Sequence, residues 1–140
     1  MLMDGLTKGA LMPVLGGWLA QGAAERITVV EPGDLPEVAR HPRVLHCAQA
    51  AALPERQRPE VVLLAVKPQV IAQVVPEYRR FVGPGTLFIS IAAGVTLARL
   101  AGWLGEEAAI VRAMPNTPAA IGRGITAAVA GPRVTQDQIA

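Results

Sequence analysis

The sequence predicts an α/β protein built on a doubly wound, mostly parallel sheet, and three observations carry that expectation. The run Val61-Val62-Leu63-Leu64-Ala65-Val66 is apolar throughout and stops at Lys67-Pro68. It is too short to cross a bilayer and too uniform for a strand with one wet face, so it reads as a central strand buried on both sides. Residues 87–92 repeat the pattern, with Gly83-Pro84-Gly85 as the turn before them. Segments of helical length separate such runs, which is the order of βαβ units.

Residues 9–21 read as a helix that stops at Gly22, with Pro13 tolerated only in its first turn. Residues 27–31 are a short strand ended by Pro32-Gly33, 34–40 a helical turn, 44–47 a weaker strand and 48–56 a short helix. Residues 60–66 are the strong strand. Pro68 has no N–H for the ladder, so the chain must leave the sheet there. A helix over 69–81 is expected to bend or break at Pro76. The strand over 87–92 leads to a helix over 97–104 with Thr96 as its N-cap. Residues 109–113 form a strand ending in Met114-Pro115, and 125–130 form the last one. At the far end, Thr135 and Gln138 have the spacing of a capping box. Residues 1–6 are short and mixed, a poor match to a buried strand.

Composition narrows the function classes. A chain of 140 residues allows one domain with a real core. At 51% hydrophobic and 17% charged residues, disorder is not expected. Aromatic residues make up 4%, and the net charge of +2 is spread without a basic stripe, which argues against nucleic acid as a partner. Cys47 is the single cysteine; it excludes an internal disulfide and fits a reducing, cytoplasmic compartment. His41 and His46 lack a second cysteine nearby, so no zinc site is expected. The richest apolar windows, 11–24 and 86–104, are broken by Pro13, Gly16 and Gly17 and by Ser90, Gly94, Thr96 and Arg99. No membrane span of about 20 apolar residues is expected.

In open α/β sheets ligands bind at the carboxyl ends of the strands. Four segments fall there: Val30-Glu31-Pro32, Ala65-Val66-Lys67-Pro68-Gln69, Ser90-Ile91-Ala92-Ala93-Gly94, and the stretch from Arg112 through Asn116 to Pro118. Small residues at Ala92-Ala93-Gly94 let a flat ligand reach the backbone, or else let a helix pack closely on a strand. Lys67 is suited to a phosphate, or is an ordinary solvated lysine. Asn116, held between Pro115 and Pro118, is either a rigidly presented amide or a turn-former. Glu31 ends the second expected strand, where an acid receives a ribose 2′-OH in NAD-type folds, or is an exposed surface acid. No Ser-His-Asp set, carboxylate pair or metal cluster stands out, and no catalytic residue is assigned.

Taken together, Leu64-Ala65-Val66-Lys67-Pro68-Gln69, Ser90-Ile91-Ala92-Ala93-Gly94-Val95 and Arg112-Ala113-Met114-Pro115-Asn116-Thr117-Pro118-Ala119 resemble pyrroline-5-carboxylate reductase. Gly17-Trp18-Leu19 followed by Gly22 is similar to that family's first helix. The three motifs in this order are specific, and the resemblance runs from about Gly16 onward. It implies a Rossmann-like sheet and reduction of 1-pyrroline-5-carboxylate to L-proline with hydride from NADPH or NADH. It implies contacts to the dinucleotide by Ala65, Val66, Lys67 and Pro68, approach of Ala93 to the nicotinamide side, and Asn116 near the reacting centre. Glu31 falls at the adenosine ribose, which tilts the expectation toward NADH, and Gln49 falls near the adenine end.

Two departures from the family pattern qualify the resemblance. Residues 5–13 keep Gly5 and Gly9 but lack the Gly-x-Gly-x-x-Gly turn that cradles pyrophosphate, which counts against pyrophosphate binding there, and Lys8 is not expected to compensate for the loss. The family's all-helical domain, which forms its dimer and most of the substrate pocket, has no counterpart here. Residues 1–140 are therefore expected to be a dinucleotide-binding domain truncated at both ends, with its first strand missing and little reductase activity alone. The competing expectations are a related F420-dependent NADP reductase domain and a non-catalytic dinucleotide-binding or interaction module.

Overall fold

The structure is a computed structural model that describes residues 2–4, 12–22, 24–33, 41–116 and 123–139. Among these residues seven strands form one sheet. In chain order they are β1 (Leu2–Asp4), β2 (Ile27–Val30), β3 (Val44–Cys47), β4 (Val61–Leu64), β5 (Leu87–Ser90), β6 (Ala109–Pro115) and β7 (Thr126–Ala130). The helices are α1 (Met12–Gln21), α2 (Ile71–Val74), α3 (Leu97–Leu104) and α4 (Gln136–Ile139), with 3₁₀ turns at Ala50–Ala52 and Val75–Phe81. The spatial order of strands is β3-β2-β1-β4-β5-β6-β7. The first six run parallel, and only β7 runs antiparallel to its neighbour. This is the Rossmann-like doubly wound order, which reverses direction between β1 and β4.

The expected missing strand is a correction. Leu2–Asp4 is a strand, and it lies at the centre of the sheet. It pairs with β2 from Leu2↔Thr28 to Asp4↔Val30 and with β4 from Leu2↔Val62 to Asp4↔Leu64. Two neighbours supply ladder bonds on both edges, so three residues suffice where an edge position would need more.

The sheet separates two apolar cores. Val62, Leu64, Phe88 and Ile110 face one side, packed under α3 and the Val75–Phe81 turn through Tyr78, Phe81, Leu100 and Leu104. Ile27, Val29 and Leu63 face the other, where Trp18 and Leu19 of α1 meet them. Strands β2 and β4 are thus buried on both faces, as their lack of alternation predicts.

Helix ends obey local chemistry. The Thr96 side chain accepts from the Arg99 N–H at 3.2 Å and caps α3 as expected. Gly22 takes a positive φ of 65° where α1 stops, and the Arg43 guanidinium donates to the Leu19 carbonyl at 2.8 Å. The helix expected over 69–81 is α only to Val74 and tightens to 3₁₀ at Val75, because Pro76 offers no N–H. The helix expected over 48–56 is only the turn Ala50–Ala52, cut short before Pro54. The capping spacing at Thr135 is realised by its N–H donating to the Gln138 Oε1 at 3.0 Å. The start of the 9–21 helix and the helical turn at 34–40 lie outside the described residues.

Phe88 is fully buried at the sheet centre. Its replacement by alanine is expected to lower unfolding stability by about 3–5 kcal/mol. Ile125→Ala, at a position 77% exposed, is expected to stay within about 0.5 kcal/mol. Urea unfolding of the two variants beside the parent checks both.

Candidate functional site

The register brings the carboxyl ends of the parallel strands to one edge. Val30 pairs with Cys47 and with Asp4, Asp4 with Leu64, Leu64 with Ser90 and Ser90 with Arg112. The residues just beyond these ends therefore line one rim. Glu31 succeeds β2, Gln49 lies two residues beyond β3, Ala65 to Pro68 succeed β4, Ala93 lies beyond β5 and Asn116 beyond β6. The strand order reverses between β1 and β4, so the crevice of a switch point opens beside Ala65.

The β4 exit is shaped by Pro68. Ala65 is half-buried, Val66 buried, and Lys67 and Pro68 exposed. The Lys67 carbonyl accepts from the N–H groups of Val70 and Ile71, both at 3.1 Å, which turns the chain into α2 and leaves the lysine side chain at the rim. One rung beyond the paired strands, the Ile91 N–H donates to the Leu64 carbonyl at 3.2 Å, holding the β4 and β5 exits together. Ser90 is fully buried, and its hydroxyl accepts from the Ala92 N–H at 3.4 Å. Ala93 is exposed, and Gly94 turns the chain with a φ of 72°. A Cβ at Gly94 would meet no atom within 4 Å, so the backbone here borders open space.

Asn116 has a structural task. Its Oδ1 accepts from the Ile125 N–H at 2.9 Å, while its own N–H donates to the Ile125 carbonyl at 3.3 Å. These bonds close the neck between β6 and β7, the turn-forming alternative that the sequence leaves open. Gln49 is exposed and precedes the Ala50–Ala52 turn without capping it through its side chain.

Glu31 is the most constrained of the rim residues. Its N–H donates to the Cys47 carbonyl at 2.9 Å, and its Oε1 accepts from the Gly33 N–H at 3.0 Å. His46 Nε2 lies 2.8 Å from the Glu31 carbonyl. The carbonyl can only accept, so Nε2 carries the hydrogen. Sequence reasoning passes over His46 as an ordinary strand-end residue, because its reach to Glu31 depends on the pairing of β2 with β3. It also passes over Arg112, whose Nε is buried beside Ser90 without a hydrogen-bond partner.

Three cavities among the described residues lie elsewhere. One of about 460 Å³ sits between α3 and the start of β6, lined by Leu97, Ala101, Ile110 and Arg133. Two more lie before β4 and before β5, beside Glu60 and beside Gly85. All three are at the amino-terminal edge, away from the edge where this topology receives ligands. The segments after β1 and after Asn116, including residues 5–11 with Gly5, Lys8 and Gly9, and Thr117 to Ala119, lie outside the described residues. Among the described residues no helix is long and apolar enough to cross a membrane, and no cluster of His, Cys, Asp or Glu suits a metal ion.

No protein-family model matches the chain. It is 36% identical over 129 residues to the pyrroline-5-carboxylate reductase of Escherichia coli, covering 91% of this chain and 48% of that relative. Among solved structures, the Coxiella burnetii pyrroline-5-carboxylate reductase superposes with a TM-score of 0.83 at 31% identity, over 99% of this chain and 52% of that one. A Plasmodium falciparum pyrroline carboxylate reductase with NADP bound shares the fold with a TM-score of 0.75 at 22% identity, over 99% of this chain and 50% of that one. The chain is therefore similar to pyrroline-5-carboxylate reductases over most of its own length, and it spans about half the length of the curated relatives it matches.

The Asn116 contacts make a local prediction. Asn116→Ala removes the acceptor for the Ile125 N–H and is expected to cost about 0.5–1.5 kcal/mol of local protection. Amide hydrogen exchange at Ile125 should accelerate, while exchange at the central Leu63 stays unchanged.

Proposed function

We propose that this chain is the dinucleotide-binding half of a pyrroline-5-carboxylate reductase, an enzyme that reduces 1-pyrroline-5-carboxylate to L-proline. The observation that carries the reading is the gathering of the β4, β5 and β6 exits, with Ala65 to Pro68, Ala92 to Gly94 and Asn116, at the carboxyl edge of a doubly wound sheet whose switch point adjoins β4. The described rim fits a flat dinucleotide: Ala93 and Gly94 present no bulk, and a side-chain carbon at Gly94 would meet only open space. When bound, NADPH or NADH supplies the hydride.

The residues divide the work along the rim. Ala65 and Val66 offer backbone beside the switch point, and Pro68 turns the chain away so that ligand can enter. Lys67 is exposed and supplies positive charge toward phosphate. Ala93 lets the nicotinamide end approach the main chain. Asn116 keeps the β6–β7 neck closed beside the reacting centre through its bond to Ile125. Glu31 receives the adenosine ribose, and Gln49 borders the adenine end.

Hydride transfer needs the substrate held within about 3–3.5 Å of the donor, a task for a further helical region that also makes the homo-oligomer. The free Cys47 supports a reducing, cytoplasmic setting.

Titration of the purified chain with NADH and NADPH, monitored by nucleotide fluorescence, is expected to show saturable binding. Ala93→Leu should weaken it about tenfold or more, equivalent to ~1.4 kcal/mol, with an unchanged melting temperature because the site is exposed. Adding a complementary C-terminal fragment of a relative should yield NAD(P)H oxidation with 1-pyrroline-5-carboxylate. Absence of binding by either nucleotide would refute the reading; binding without oxidation in the mixture would favour a non-catalytic module.

A further inference from the structure

The way Glu31 is held carries an inference that rests on the dinucleotide reading above. One residue beyond β2, this glutamate is fixed at three points. Its N–H is bound to the Cys47 carbonyl at 2.9 Å, its carbonyl to His46 Nε2 at 2.8 Å and its Oε1 to the Gly33 N–H at 3.0 Å. Gly33 is part of the device. A Cβ there would stand 3.3 Å from Oε1, a crowded approach, so the turn receives the carboxylate most easily without a side chain at 33. Glu31 is half-buried, whereas His46 is exposed and reaches across from the neighbouring strand.

The end of the second strand is where a dinucleotide presents its adenosine ribose. A carboxylate there accepts hydrogen bonds from a 2′-OH but repels a 2′-phosphate. Repulsion discriminates only if the charge stays in place. A glutamate free to change rotamer swings aside, and much of the selectivity goes with it. The His46 bond fixes the main chain from which the carboxylate and its Gly33 contact project. We propose that His46 is a positioning residue that holds Glu31 in place and thereby gives this chain a preference for NADH over NADPH.

The test titrates NADH and NADPH separately into the purified chain and its variants, with melting temperature as the control for folding. The parent is expected to bind NADH about tenfold more tightly than NADPH. Glu31→Gln should abolish that ratio by strengthening NADPH binding. His46→Ala should bring the ratio to within about threefold of one, while His46→Gln, whose amide Nε2 can donate to the same carbonyl, restores it. A parent that prefers NADPH overturns the proposal, as does a His46→Ala variant that weakens both nucleotides equally or a ratio that His46→Gln fails to restore. Loss of all binding in the parent overturns the dinucleotide reading itself and this proposal with it, which separates the two failures.

Discussion

The structure depends on one constraint, the in-register parallel pairing of β1 with β2 and β4. Because Asp4 stands opposite both Val30 and Leu64, the strands end together instead of in a stagger. The same register continues from Leu64 to Ser90 and on to Arg112. A one-residue slip would turn each strand's side chains to the other face. Here that would exchange Val62 and Leu64 with Leu63 between two differently shaped cores. Burial on both faces thus enforces the register, and the register builds the rim. The site is a consequence of packing before it is a matter of its own residues.

The turn after each strand converts that edge into a surface a ligand can use. Pro68, Gly94 and the Asn116 neck each take the chain out of the sheet by a different device: a missing donor, a positive φ and a side-chain acceptor. At the β5 exit this leaves the small residues Ala93 and Gly94 exposed at the edge. The cavities at the opposite edge differ in lining: the one before β4 is bordered by Glu25, Arg26, Arg58 and Glu60. The one under α3 is lined chiefly by apolar residues such as Leu97, Ala101 and Ile110, and its Arg133 pairs with Glu107 at 3.0 Å on the surface.

Much of this is legible in the sequence wherever a local signal decides the outcome. The unbroken apolar run at Val61–Leu64, the Thr96 cap of α3 and the stop at Gly22 all reflect chemistry within a few residues. The misreadings are non-local. Leu2–Asp4 has no strand signature and is a strand because neighbours bond it on both sides. β6 runs two residues past its expected end because β7 pairs with it as far as Pro115 opposite Thr126. Asn116 stands out in the sequence, and its turn-forming alternative is among the expectations, but its partner Ile125, nine residues on, is not given by spacing. His46 is invisible for the same reason, since its partner lies fifteen residues away, just beyond the end of another strand.

The central claim is that a nicotinamide dinucleotide lies across the carboxyl edge of this sheet. The most direct measurement is mapping of backbone amide shifts in the isotope-labelled chain as NADH is added. The account predicts that perturbations concentrate at Glu31, at 65–67 and at Ala93 and Gly94, with the amides of Glu60, Gly85 and Gly131 undisturbed. Perturbations clustered at those three opposite-edge positions, with the carboxyl edge silent, would contradict it.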